Sequence, residues 1–121
     1  MKGRAAKFYP DTQTLFINGL YPAVEKMAKE LANDFPDADD PDQLRALAID
    51  AAKRTMAFRV GKATCFALAK KLLDDWSQDD LEKATSPESL SIAADDYRQS
   101  IADGKKWIKK QIKIEAVSEM A

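Results

Sequence analysis

At 121 residues, 45% of them hydrophobic and one a cysteine, the chain has the length of one ordinary domain and enough apolar material to bury a core without disulfides. Lys and Arg number 19 against 20 Asp and Glu, so the formal net charge of -1 creates no whole-molecule pull towards nucleic acid or anionic lipid. Histidine is absent, which removes the usual general base near neutral pH, the Ser-His and Cys-His nucleophile pairs and the commonest zinc ligand together.

No stretch reaches the roughly 18 apolar residues of a membrane span, so no membrane contact is expected. The basic start Met1–Lys7 runs into Phe8-Tyr9-Pro10-Asp11 with no apolar h-region, which argues against secretion and for a cytoplasmic protein. Cys65 falls on an apolar stripe and reads as a small buried hydrophobe in a reducing compartment.

Residues 1–10 mix basic and aromatic side chains without periodicity and read as a flexible arm, leaving 11–121 as a single helical domain. Between residues 12 and 20 the pattern suits either a strand or a short helix, and Asn18-Gly19 favours a turn in both cases. Pro22 restarts a helix with Val24, Met27, Ala28, Leu31 and Ala32 on one side, ending near Asn33. The carboxylates Asp37, Asp39, Asp40 and Asp42 lack the glycine and glutamate register of a calcium loop. They read instead as a turn whose acids face the start of the next helix dipole.

That next helix is the spine of the reading. From Pro41 to Gln78 the positions Leu44, Ala48, Ala51, Thr55, Phe58, Lys62, Cys65, Ala69, Leu72 and Trp76 step by four and three along one face, with Ile49, Ala52, Met56, Ala63, Phe66 and Leu73 beside them. Asp40 is placed to cap, with Pro41 in the first helical position. The apolar phase is the same on both sides of Gly61, which predicts one continuous core helix of about 54 Å. Ser77 to Ser86 is polar, with at most a helical turn. Ser86-Pro87-Glu88 begins the last helix, striped by Leu90, Ala94, Tyr97, Ile101, Gly104, Ile108 and Ile112, where Gly104 permits a close approach. Beyond it Ile112, Ile114 and Ala116 alternate with polar residues, so 114–121 is expected to leave the helix and extend. The fold class is therefore all-α, a helical bundle built around one long central helix with short irregular or extended termini.

The acidic pairs Asp74-Asp75, Asp79-Asp80 and Asp95-Asp96 are adjacent residues, which diverge by about 100° on a helix and cannot clamp one reacting atom. Phosphate loops, Cys-x-x-Cys pairs and nucleophile elbows do not occur, so no catalytic residue, cofactor or metal ligand is assigned. The sharper feature is a basic helix face of Lys105, Lys106, Lys109, Lys110 and Lys113, with Trp107 at its border. Such a face suits a phosphate backbone or an acidic patch on a partner, against the plainer role of offsetting the dipole at a helix end.

The element order resembles that of the small helical head–tail connector and head-completion proteins of tailed bacteriophages. The resemblance lies in Phe8-Tyr9-Pro10-Asp11, in Leu44-Arg45-Ala46-Leu47-Ala48 opening an alanine-rich helix, and in Tyr97-Arg98 and Ile101 followed by Lys106-Trp107-Ile108. It implies a non-enzymatic protein of the virion neck, held in a ring of copies of itself and other subunits by mobile arms and tails, and located in the host cytoplasm or the virion. The alternatives are a nucleic-acid-binding or regulatory protein using the carboxyl-terminal lysines, and a small inhibitor or immunity-type protein.

Overall fold

The computed structural model describes residues 3–120, with 114–120 as backbone alone. The chain is mostly helical and carries a small two-stranded sheet, in the order β1 (Ala6–Tyr9), β2 (Thr14–Ile17), α1 (Pro22–Asn33), α2 (Pro41–Leu72), α3 (Gln78–Ala84), α4 (Pro87–Asp95), a 3-10 turn (Arg98–Ser100) and α5 (Ile101–Met120). It divides into two compact units, one made from Met1–Tyr21 with Met56–Asp96 and the other from Pro22–Thr55 with Tyr97–Ala121. Helix α2 contributes to both. It passes Gly61 without a break, as its unbroken apolar phase predicts, but stops at Leu72 rather than Gln78.

In the first unit β1 and β2 form an antiparallel hairpin with Ala6 opposite Ile17 and Tyr9 opposite Thr14. Residues 6–9, expected in a flexible arm, are thus a strand. The reversal uses a turn in which Gln13 N–H donates to Pro10 O at 3.3 Å, and Gln13 takes a positive φ of 50°. Burial alternates along β1, turning Lys7 and Tyr9 to solvent, and on β2 Phe16 is the exposed residue. Ala5 and Ala6 are fully buried, and their small side chains let the strand lie close on α4. Ala5 N–H donates to Ser91 Oγ at 3.0 Å, which ties the hairpin's backbone to α4.

Helices α3 and α4 both begin at serines. Ser77 and Asp80 exchange the two bonds of a capping box, giving two turns of helix where the sequence suggested one at most. Ser86 accepts from Ser89 N–H at 3.2 Å with Pro87 in the first turn, as expected. Helix α4 then stops at Asp95, so the expected single last helix is two helices. At the end of α4 the Arg59 guanidinium, far away in sequence, donates to Ala93 O at 3.2 Å and Ala94 O at 2.8 Å, satisfying carbonyls left open where the helix stops. Burial holds the Arg59 guanidinium below its usual range, partly countered by Asp96 and Asp95 nearby.

In the second unit α1 buries Ala23, Val24, Met27, Ala28 and Leu31 and packs on α5. Gly104 makes that approach possible: a Cβ there would sit 3.1 Å from Leu31 Cδ2 and 3.4 Å from Met27 Cε. The α2 segment of this unit enters through Asp40, whose carboxylate accepts from Gln43 N–H at 3.1 Å, and buries Leu44, Leu47, Ala48, Ala51 and Ala52. The Tyr97 hydroxyl donates to Glu30 at 3.1 Å. Helix α5 continues to Met120, which corrects the extended tail expected over 114–120; residue 121 lies outside the described residues.

Candidate interaction surfaces

The expected core line of α2 holds only through its first part. Within the first unit the buried α2 positions are Met56, Val60, Thr64 and Ala67. The line drawn through Phe58, Cys65 and Leu72 faces solvent instead: Phe58 is 70% exposed, Phe66 56%, Leu72 83% and Leu73 71%. Cys65, expected to be buried, is exposed among them. The correction has a plain cause. A core position is set by what packs on the helix, and here Met56, Val60, Thr64 and Ala67 are the ones covered, while Phe58, Leu72 and Leu73 fall about 100° or more from the middle of that row. One signal in the sequence pointed this way: Lys62 sits in the middle of the apolar line and is itself exposed.

Alternating steps of four and three from Phe58 put Lys62, Cys65, Ala69 and Leu72 on one face, with Phe66 and Leu73 at its side. Phe66 meets Trp76 edge-on at 5.8 Å between centroids, and Lys70 lies 5.5 Å above the Phe66 ring. The end of α2 is held by a Schellman-type turn. Asp74 takes φ 59°, its N–H donates to Lys71 O, and Asp75 N–H donates to Lys70 O at 3.0 Å. Lys70 Nζ reaches Asp75 at 3.6 Å. A shallow groove of about 420 Å³ follows, lined by Trp76, Asp80, Lys83, Ala84 and Ser89.

The residues singled out on α5 do share a face. Lys106, Lys109, Lys110 and Lys113 are exposed opposite the buried Gly104 and Ile108, and among the described residues none of the four is in an ion pair. Lys105 is different, pairing with Asp34 at 3.0 Å. Trp107 is half-buried with the Arg54 guanidinium over its ring at 4.9 Å. Of the six candidates, then, four remain as an open basic face, and the other two are engaged within their own unit. A second groove in that unit, about 250 Å³, is lined by Glu25, Ala28, Lys29, Ala32, Asn33, Arg45 and Ile49.

Among the described residues no group of three or more His, Cys, Asp or Glu could hold a metal ion, and no helix is long and apolar enough to cross a membrane. The shifted titrating groups have structural causes. Tyr21 is raised by burial and by its hydroxyl's 3.0 Å bond to Asp95, Tyr97 by burial and its bond to Glu30, and Asp80 is lowered by its bonds from the Ser77 backbone and side chain. Comparison with protein-family models, characterised proteins and solved structures finds no match to this chain.

Proposed function

We propose that the protein is a non-enzymatic helical adaptor that works by protein–protein contact in an oligomer, in the manner of the head–tail connector proteins its sequence resembles, with a ring in a virion neck as the assembly. The observation that carries this reading is the exposed apolar line Phe58, Phe66, Leu72 and Leu73. Large apolar side chains gathered on one helix face, rather than scattered singly, mark a contact surface in a soluble protein. Light scattering over a concentration series tests it. The wild type should associate, and Phe58→Glu with Phe66→Glu should leave a monomer of unchanged helicity. A wild type that stays monomeric at high concentration, alone and with portal or tail components added, overturns the reading.

The four lysines of α5 that lack an ion pair among the described residues support a second reading, contact with a phosphate backbone. It predicts DNA or RNA affinity that falls steeply with salt and is lost in Lys109→Glu with Lys110→Glu.

A further inference from the structure

We infer that the lysine face of α5 in one copy receives the acidic segment Asp74–Glu82 of another, a charge-complementary contact between copies of this chain. The inference rests on the adaptor reading and specifies its geometry. The acidic segment contains Asp74, Asp75, Asp79, Asp80 and Glu82 and follows directly on the exposed Leu72 and Leu73. Asp80 is committed to capping α3, and Asp75 and Asp79 form exposed pairs with Lys70 and Lys83. Asp74 has no cation within ion-pair range among the described residues, and Glu82 meets only the Gln78 amide at 3.5 Å. Opposite it in sign stand Lys106, Lys109, Lys110 and Lys113, which form no ion pair among the described residues. A chain whose charges nearly cancel, at -1 overall, thus carries two exposed patches of opposite sign.

Those patches are complementary between copies. A two-fold pairing uses the complementarity twice, each lysine face on the other copy's acidic segment, and a heterologous contact uses it once per interface and adds copies in one sense, as rings and filaments require. Complementary charge orients and speeds such an encounter, while the desolvated apolar part supplies most of the affinity. Leu72 and Leu73 beside the acids can supply that part against the aliphatic lysine stems. Nucleic acid fits the same lysines less well. It would leave the acidic segment without a role, and Trp107, the aromatic residue bordering the face, is already covered by Arg54.

The test is a charge swap, read by sedimentation velocity with circular dichroism to confirm the fold. One variant is Lys109→Glu with Lys110→Glu, the other Asp75→Lys with Glu82→Lys. Each alone should need at least tenfold higher concentration to associate, and an equimolar mixture should recover wild-type assembly, because every contact then has one reversed pair or one native pair. Raising salt from about 50 to about 500 mM should weaken the wild type as the Debye length shortens. Wild-type association that neither variant changes, or variants that do not rescue each other, overturns this contact and leaves the adaptor reading standing. A strictly monomeric wild type overturns both. If the lysine variant loses duplex-DNA binding while self-association is untouched, the face is a phosphate site and the inference fails.

Discussion

The two parts of α2 carry their apolar residues in one helical phase and have opposite fates. Up to Thr55 the line predicted as core is core, with Leu44, Ala48 and Ala51 buried, although Ile49 in the row beside it is exposed. From Met56 onward the buried residues are Met56, Val60, Thr64 and Ala67, and the predicted line of Phe58, Cys65 and Leu72 is on the surface. Periodicity therefore locates a helix and its possible faces, but size and greasiness do not choose which face a neighbour covers. The largest effects should separate the two sets. Ala51→Asp and Val60→Asp each place a carboxylate where the residue is 0% exposed, and each should cost at least about 3 kcal/mol of unfolding free energy or prevent folding. Phe58→Asp should stay within about 0.5 kcal/mol of wild type in urea titrations of the monomer. Equal losses at 58 and 60 would show that both faces are core.

Next in size is the contact that ties the second part of α2 to α4. Arg59→Met removes a half-buried cation from the carbonyls of Ala93 and Ala94, and hydrogen bonds to a charged group put the loss at about 2 kcal/mol. Thermal unfolding at neutral pH measures it. A loss near zero would mean that water replaces the guanidinium at the end of α4.

The two helical glycines sharpen the contrast at about 1 kcal/mol. A Cβ at Gly61 meets nothing within 4 Å, so Gly61→Ala should stabilise the protein by about that amount through helix propensity and a less flexible unfolded chain. At Gly104 the new methyl lies 3.1 Å from the fully buried Leu31, and the crowding should cancel the same gain, with Gly104→Val clearly destabilising. Paired denaturant curves decide it. A gain at 104 equal to that at 61 would mean that α1 yields easily there.

What the sequence made legible was local. Asp40 and Ser86 cap where they were expected to, α2 runs through Gly61, α1 ends at Asn33, and Gly104 sits at a close approach, because each depends on a few neighbouring residues or one helical period. The misses in the packing are long-range. The hairpin has four-residue strands, too short to establish a period against a helical alternative, and it is fixed by Ser91 some 86 residues from Ala5. The open carbonyls at the end of α4 are covered by Arg59, more than thirty residues earlier. The candidate face on α5 was legible as spacing, but the Asp34 partner of Lys105 and the Arg54 cover on Trp107 were not, since no local pattern encodes either.

The smallest effect concerns the segment beyond the exposed part of α2, where α3 is held by local polar bonds as much as by burial. Asp80 accepts from Ser77 N–H at 3.0 Å, and its own N–H bonds to Ser77 Oγ at 3.2 Å. Bonding to the ionised form holds its carboxyl below the ordinary value of 3.8. A carboxyl depressed in the folded state contributes stability that is present above the unfolded value and lost as pH falls through the folded one. Wild type should therefore exceed Asp80→Asn in melting temperature at neutral pH, and the gap should close in acid below the ordinary carboxyl range. Ala51→Asp makes the control, because burial opposes ionisation there and its penalty should shrink rather than a benefit vanish as pH falls. A gap between wild type and Asp80→Asn that stays constant from neutral pH into acid would show that the capping box acts through shape alone and that the Asp80 charge contributes nothing to it.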